Sequence, residues 1–315
     1  MSSIGSNASA RSRRGGRRRE GGQVLAIFAL ALTAIVAMTG LVIDGGGTFV
    51  QRRDQQNVAD AAAMAAGYAY GMTLSTSAAA AAAQSVATSN GYANGANGVT
   101  VTVTNAAANP GWYFTAVVSK PHQNSFSGLL GMSTWGVTTT ATVITGWTNG
   151  AVGAMPIEFN QKAFLANNGG QNEATYTEPD PGSQDIPIDS DKFNWTMYCD
   201  TCNADSSTVA SIIDANGLTA AADLTWKLTP LNAGSHATLY DALAEHLGES
   251  FPVPIVDDTG KMIGWASFHI TGSVGGSTKT ITGYFESPVN RKNLRIVQNG
   301  IDGCECGDWG VYLTN

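Results

Sequence analysis

The feature that most constrains this chain is an uninterrupted apolar run at residues 24–43. These twenty residues carry no charge, and their only hydroxyl groups are those of Thr33 and Thr39. As a helix rising about 1.5 Å per residue, the run reaches about 30 Å, which is the thickness of the hydrocarbon core of a bilayer. It therefore predicts a single transmembrane helix.

The charges on either side of the run predict its orientation. Only Arg52 and Arg53 follow it closely, whereas six arginines and one acid, Glu20, precede it; the six are Arg11, Arg13, Arg14, Arg17, Arg18 and Arg19. The positive-inside bias places this basic segment, residues 1–23, in the cytoplasm and sends the chain after residue 44 across the membrane. We expect a single-pass cell-membrane protein with an extracytoplasmic C-terminal part.

A cleavable signal peptide is the competing interpretation of the same run. Its apolar region is usually about 7–15 residues long, shorter than the run found here. An Ala-x-Ala string occurs at Ala29-Leu30-Ala31, but it lies in the middle of the run, and the residues after the run, Asp44-Gly45-Gly46-Gly47, fit a processing site poorly. We therefore expect the segment to be retained.

The charge of the exported part argues against binding of nucleic acid. Beyond residue 43 there are eleven Lys and Arg against twenty-three Asp and Glu. The one basic stretch, residues 11–19, contains no aromatic residue and adjoins the apolar run. Orientation and contact with anionic lipid account for it more simply than contact with RNA or DNA.

Residues 44–149 predict an alanine-rich helix followed by a small antiparallel sheet. Residues 51–89 favour helix by their alanine content, and Gly45-Gly46-Gly47 favour a bend or break before it. Residues 98–104, 112–119 and 135–145 have strand character, with a turn at Asn109-Pro110-Gly111. Since alanine buries little apolar surface, the helix must lie close against the sheet, in a pilin-like arrangement.

Three strings in this region resemble the N-terminal segment of TadG-like proteins of the Flp (Tad) pilus-assembly system. They are residues 22–30 (Gly-Gln-Val-Leu-Ala-Ile-Phe-Ala-Leu), 40–46 (Gly-Leu-Val-Ile-Asp-Gly-Gly) and 51–66 (Gln-Arg-Arg-Asp-Gln-Gln-Asn-Val-Ala-Asp-Ala-Ala-Ala-Met-Ala-Ala). The resemblance covers about residues 18–70 and extends more weakly to residue 145. It implies a membrane-anchored accessory protein, without enzymatic activity, whose partners are the cytoplasmic membrane and other pilus-assembly proteins.

Residues 150–315 predict a β-rich α+β domain. A helix is expected at 235–248, where Leu239, Leu243 and Leu247 share an apolar face and Gly248 is a stop signal. Strands are expected at 251–256, 262–272, 278–285, 294–298 and 309–314. The whole chain is thus expected to be α+β.

The four cysteines, all in this second half, predict disulfides. They form two clusters, Cys199-x-x-Cys202 and Cys304-x-Cys306. In an oxidising compartment we expect one cluster to be bridged to the other, because a bridge between Cys304 and Cys306 would close a very small ring. A four-thiolate zinc site and a Cys-x-x-Cys redox centre are the alternatives.

The sequence predicts no catalytic, cofactor-binding or metal-binding residues. It lacks the zinc-peptidase His-Glu-x-x-His string, the Gly-x-Ser-x-Gly nucleophile string and a phosphate-binding Gly-Lys-Ser/Thr loop. Asp241, Glu245, His246 and Glu249 fall on the predicted helix, where a solvated face is the simplest interpretation. The favoured function is a structural component of a Tad-type apparatus; the alternative is an exported enzyme or ligand-binding module with its site in residues 150–315.

Overall fold

The computed structural model describes residues 21–166, 172–179, 187–200, 205–231, 236–286, 293–298 and 300–314. The six predicted topology arginines and Cys202 lie outside these ranges. The chain forms two compact units. The first, which we call the anchor unit, contains the residues up to 51 together with 122–135, and the second, the body unit, contains residues 52–121 and 136–315.

The first element is a long helix, α1, at Gly21–Thr73. It contains the predicted span and is, by length and composition, apolar enough to cross a membrane. The expected break at Gly45-Gly46-Gly47 is absent, because the helix continues through all three glycines. At Gly47 the absence of a side chain leaves room for His122, because an added Cβ would lie 3.0 Å from Cε1 of His122.

Besides the first part of α1, the anchor unit contains a segment that connects two strands, which we call the connecting segment. It comprises the end of strand β2 (Trp112–Gln123), a 3-10 helix (Ser127–Leu130) and the start of strand β3 (Thr134–Trp147). The residues between β2 and β3 thus contain a 3-10 turn. Residues 23–39 of α1 are exposed, and between residues 23 and 50 the buried positions are Gly40 and Asp44.

Helices and a four-stranded sheet form the first layer pair of the body unit. Helix α2 (Thr76–Ser89) follows α1, and strand β1 (Thr100–Ala107) pairs antiparallel with β2. The strand order is β1-β2-β3-β14, in which β14 (Trp309–Thr314) comes from the C-terminal end of the chain. The three strands predicted before residue 149 are present, and the sheet gains a fourth that no local pattern indicated.

Small residues let the helices approach this sheet closely. A buried cluster combines alanines of α1 and α2 with strand residues such as Phe114 and Val143. Glycines contribute as well: a Cβ on Gly67 would lie 2.5 Å from Cγ1 of Val311, and one on Gly71 would lie 2.5 Å from Cδ1 of Trp309. The close approach expected of an alanine-rich helix therefore has a defined partner, the C-terminal strand.

A second, larger sheet carries the other main core of the body unit. The strands between β3 and β14 are β4 (Gly150–Ala151), β5 (Ile157–Asn160), β6 (Ala174–Thr177), β7 (Phe193–Met197), β8 (Ala222–Asp223), β9 (Thr229–Pro230), β10 (Ser250–Val256), β11 (Met262–Val274), β12 (Thr280–Phe285) and β13 (Leu294–Arg295). Within the described residues the order of the larger sheet is β6-β12-β11-β10-β5-β7-β9. Short strands β13, β4 and β8 form a third sheet.

Three helices complete the body unit: α3 (Gln161–Ala166), α4 (Ser206–Asp214) and α5 (Ala237–Ala244). Helix α5 is shorter than the predicted 235–248, and Leu247, beyond its end, is 47 % exposed instead of joining Leu239 and Leu243 in the core. Gly248 adopts a positive φ of 85° a few residues later, as a stop signal should. The mixed α+β class is confirmed; the pilin-like comparison and the domain boundary at residue 150 stay predictions.

Candidate functional site

Asp44 ends the predicted span and is buried. Its carboxylate accepts hydrogen bonds from the backbone N–H groups of Ser125 (2.8 Å), Phe126 (3.1 Å) and Ser127 (2.6 Å). These donors lie at the start of the 3-10 helix, where backbone N–H groups have no partner within the helix itself. Asp44 of α1 thus binds the backbone N–H groups at the start of the 3-10 helix.

The same hydrogen bonds keep Asp44 ionised. The N–H of Ser127, helped by those of Ser125 and Phe126, lowers the pKa of Asp44 to about 2 against the opposing effect of desolvation. Acidic side chains at the edge of a membrane span are costly unless they are paired. Here the partners are backbone dipoles, so the charge is balanced locally without a basic residue.

Two further contacts hold the connecting segment against α1. Phe126 lies on Gly40, where an added Cβ would come within 2.5 Å of Cβ of Phe126. Nδ1 of His122 lies 2.8 Å from Oε1 of Gln51. Together with Asp44, these contacts extend along twelve residues of α1, from Gln51 towards the N-terminus as far as Gly40.

A second group of polar side chains of α1 contacts the sheet of the body unit. Gln55 is fully buried, and its Nε2 donates to the carbonyl oxygens of Val118 (2.6 Å) and Val137 (2.9 Å) on neighbouring strands. The hydroxyl of Thr139 donates to the backbone carbonyl of Gln55 at 3.1 Å. One glutamine therefore satisfies carbonyls of β2 and β3 and joins the helix to both strands.

The residues on either side of Gln55 continue this contact. Nε2 of Gln56 donates to Oδ1 of Asp60 (2.8 Å) and to the carbonyl oxygen of Thr140 (3.1 Å). The hydroxyl of Tyr92 donates to Oδ2 of Asp54 at 2.8 Å. Gln56 thus extends the contact of α1 with the sheet, and Asp54 joins α1 to the segment between α2 and β1.

These polar side chains belong to a segment that is similar to a known family. Residues 22–69 match the family described as Putative Flp pilus-assembly TadE/G-like. The resemblance predicted for residues 18–70 is confirmed. Comparisons with curated proteins and with solved structures gave no match. We call residues 22–69 the Tad-like segment; Asp44, Gln55, Gln56 and Asp60 all lie within it.

A buried polar network in the body unit was not predicted from the sequence. Glu178, after β6, accepts a hydrogen bond from Nδ1 of His236 (2.5 Å) through one carboxylate oxygen and from the hydroxyl of Tyr240 (2.5 Å) through the other. Burial opposes ionisation of Glu178, but these hydrogen bonds outweigh it and lower its pKa. Burial and the contact with Glu178 raise the pKa of Tyr240. The network ties a loop to helix α5, and its members, 58 and 62 residues from Glu178, give no local signal.

A second buried acid of the body unit behaves in the opposite way. Glu158 of β5 is 1 % exposed, and burial raises its pKa to about 8 against the opposing effect of the neighbouring Thr196 and Asn194 side chains. Its carboxyl group is therefore largely protonated at neutral pH. Sequence inspection did not single out Glu158, because it lies in a four-residue strand that the pattern did not reveal.

The predicted solvated face holds for Asp241, Glu245 and Glu249, which are exposed, but it was wrong for His246. His246 is 9 % exposed, its ring packs edge-on against Phe251, and its Nδ1 lies 3.1 Å from Oε2 of Glu249. Because α5 ends at Ala244, His246 lies in the turn after the helix, and this turn directs it inward.

The cysteines of the second cluster pair with each other. Cys304 and Cys306 form a disulfide across a turn that brings their Cα atoms to 5.0 Å, within the usual range for a bridge. Cys199 is also disulfide-bonded, and Cys202 lies outside the described residues. The predicted bridge between the two clusters is not confirmed, because the turn at 304–306 supplies a partner at shorter range than the sequence argument allowed.

The body unit also carries an open groove. It has a volume of about 570 Å³ and is lined by backbone and side chains of residues 224–228, 259–262 and Ile301. Leu224, Trp226, Leu228 and Met262 give it an apolar character. The described residues contain no group of three or more His, Cys, Asp or Glu arranged to hold a metal ion.

Proposed function

We propose that this protein is a membrane-anchored, non-catalytic component of a Tad (Flp) type pilus-assembly or secretion apparatus. Its N-terminus lies in the cytoplasm, residues 24–43 span the cytoplasmic membrane, and the C-terminal part lies outside the cytoplasm. Its partners are the membrane and other proteins of the apparatus. The observation that carries the proposal is the match of residues 22–69 to a pilus-assembly family.

The use of polar residues in the Tad-like segment supports a scaffolding role. Asp44 holds backbone N–H groups of the 3-10 turn, and Gln55 and Gln56 bind strand carbonyls. Each of these three side chains binds backbone groups of a neighbouring element of the fold. The segment therefore contributes structural contacts to each of the two units, which is consistent with an accessory protein of an envelope machine.

Co-purification from native membranes tests the proposal. The full chain, tagged after residue 315, is isolated in mild detergent, and the co-purifying proteins are identified by mass spectrometry. We expect pilus-assembly components to be enriched. A matched control keeps residues 44–315 but replaces residues 1–43 with an unrelated basic leader and apolar span, so that membrane attachment is retained while the first part of the Tad-like segment is lost.

The control separates two ways of binding. Recovery of partners with both chains assigns the contact to residues 44–315, whereas recovery with the native chain alone assigns it to residues 1–43. Absence of pilus-assembly components from both preparations would contradict the proposed function.

The alternative function is an exported enzyme or ligand-binding module tethered by a Tad-like anchor. The observation that favours it is the apolar groove between residues 224–228 and 259–262. Grooves of this size commonly hold small molecules. Retention of a defined small molecule by the purified full chain, abolished by Trp226→Ala and kept in a Leu165→Ala control, would favour this alternative.

A further inference from the structure

The 124–133 loop of the anchor unit exposes large apolar side chains beside the predicted span. Leu129 is 84 % exposed, Met132 is 50 % exposed and Phe126 is 37 % exposed. No Asp, Glu, Lys or Arg occurs between residues 121 and 157. Exposed apolar side chains that cluster in this way mark an interaction surface.

The position of the loop along α1 identifies what that surface meets. Phe126 rests on Gly40, which lies inside the predicted span. On the same stretch of α1, Leu41, Val42 and Ile43 are 51–73 % exposed. The loop therefore lies level with the end of the apolar run, and its exposed side chains continue the surface that the span presents to lipid.

The backbone of the loop is suited to an apolar environment. Asp44 accepts the N–H groups of residues 125, 126 and 127. Four more N–H groups pair within the loop: Asn124 with the carbonyl oxygen of Ser133, Leu129 with that of Phe126, Gly131 with that of Gly128 and Met132 with that of Ser127. Irregular backbone enters the membrane only when its polar groups are satisfied by the protein, and these bonds meet much of that requirement.

We propose that the 124–133 loop inserts the side chains of Phe126, Leu129 and Met132 into the outer leaflet of the membrane, next to the span, and forms a second membrane contact. The occupant of this surface is lipid. Asp44 makes the insertion tolerable by satisfying the N–H groups of the 3-10 turn with a carboxylate that is itself buried. The inference rests on the proposed membrane anchorage of residues 24–43.

Photo-crosslinking in a defined bilayer tests this inference. The full chain is reconstituted in nanodiscs of phosphatidylcholine and phosphatidylglycerol, with p-benzoylphenylalanine in place of Leu129. We expect a lipid adduct whose yield is several-fold above that of the same residue at Leu165, a 56 % exposed leucine of α3 in the body unit. The same substitution at Leu41, within the span, is the positive control.

The three positions distinguish failure of the loop from failure of the anchor. Lipid adducts at Leu41 but not at Leu129 would overturn the loop insertion and leave the anchor intact. No adduct at either position would overturn both. An adduct of Leu129 with protein, either a second copy or a partner, would assign the surface to a protein interface and would also overturn the inference.

A substitution at Gly40 of α1 tests whether its contact with Phe126 positions the loop. Gly40→Leu places a side chain where Phe126 lies, so we expect the lipid adduct at position 129 to fall several-fold. Gly46→Leu is the matched control, because nothing lies within 4 Å of an added Cβ at Gly46. Equal yields in the two variants would show that the loop is not positioned through Gly40, and would contradict the inference.

Discussion

Two stretches of the same helix, residues 23–43 and 52–73 of α1, differ in the size of their side chains and in their exposure. The first stretch is rich in Leu, Ile and Val and is exposed around almost its whole circumference. The second is rich in alanine and glycine and buries Ala59, Ala62, Ala63 and Ala66 completely. Large apolar side chains suit lipid, which adapts to any shape, whereas small ones suit a sheet, whose backbone must come close. Helical structure alone therefore does not identify the surroundings of a helix; residue size does.

The largest expected effect concerns the orientation of the first stretch. Replacing all six arginines, Arg11 to Arg19, with Gln removes the excess of positive charge that, in the proposed topology, keeps the N-terminus in the cytoplasm. We expect a reporter fused after residue 315 to lose most of its activity outside the cytoplasm. Arg52→Gln with Arg53→Gln, beyond the span, is the control and should leave the reporter active. An unchanged orientation in the first variant would contradict the charge argument.

A second prediction is that Glu158 of the body unit, but not Asp44 of the anchor unit, makes the stability of the protein depend on pH. Because the pKa of Glu158 is raised to about 8, the folded body unit holds a proton that the unfolded chain releases near pH 4.5. The stability linked to Glu158 is therefore complete below about pH 4.5 and is lost as the pH rises towards about 8, by a few kcal/mol. Asp44, with a pKa of about 2, stays ionised over the same range and contributes no slope.

Urea unfolding of the full chain in nanodiscs, followed by tryptophan fluorescence between pH 5 and 8, measures this difference. In Glu158→Gln the slope should become shallower, since glutamine has the same shape and does not titrate. If the variant kept the slope of the parent protein, another group would be responsible.

A third prediction compares Gly67 of the second stretch with Gly46, which lies between the two stretches. Gly67→Leu places a side chain against Val311 and Val143, and overpacking of this kind costs about 1–3 kcal/mol. Gly46→Leu, in open space, should be neutral or slightly stabilising because leucine is the better helix former. Urea midpoints of both variants check this contrast, and a Gly67→Leu variant as stable as the parent would remove the argument for close helix–sheet packing.

The smallest expected effect concerns the disulfide between Cys304 and Cys306. A bridge that closes so few residues removes little chain entropy, about 1–2 kcal/mol, compared with about 4–5 kcal/mol for one that encloses about 100 residues. We expect non-reducing peptide mapping to find both cysteines in one bridged peptide, and Cys304→Ser with Cys306→Ser to lower the melting temperature only modestly. A peptide that joins either residue to Cys199 would instead favour a long-range bridge.

The sequence by itself determined the elements whose signals are local. The apolar run predicted the helix that contains residues 24–43, and stretches of strand character predicted β1, β2 and β3. The strings at 22–30, 40–46 and 51–66 led to the resemblance that the family match confirmed. Each of these signals is carried by consecutive residues, so hydrophobic period, composition or motif spacing is enough to read it.

Only the tertiary structure decided which distant residues meet. It brought β14 to the sheet of β3, placed the N–H groups of residues 125–127 on Asp44, and assembled Glu178 with His236 and Tyr240. It also turned His246 inward and gave Cys304 a local partner. Such pairings depend on the summed packing of segments far apart in the chain. No short stretch of sequence contains that information, because a side chain has the same local pattern whether its partner is water, lipid or a strand more than a hundred residues away.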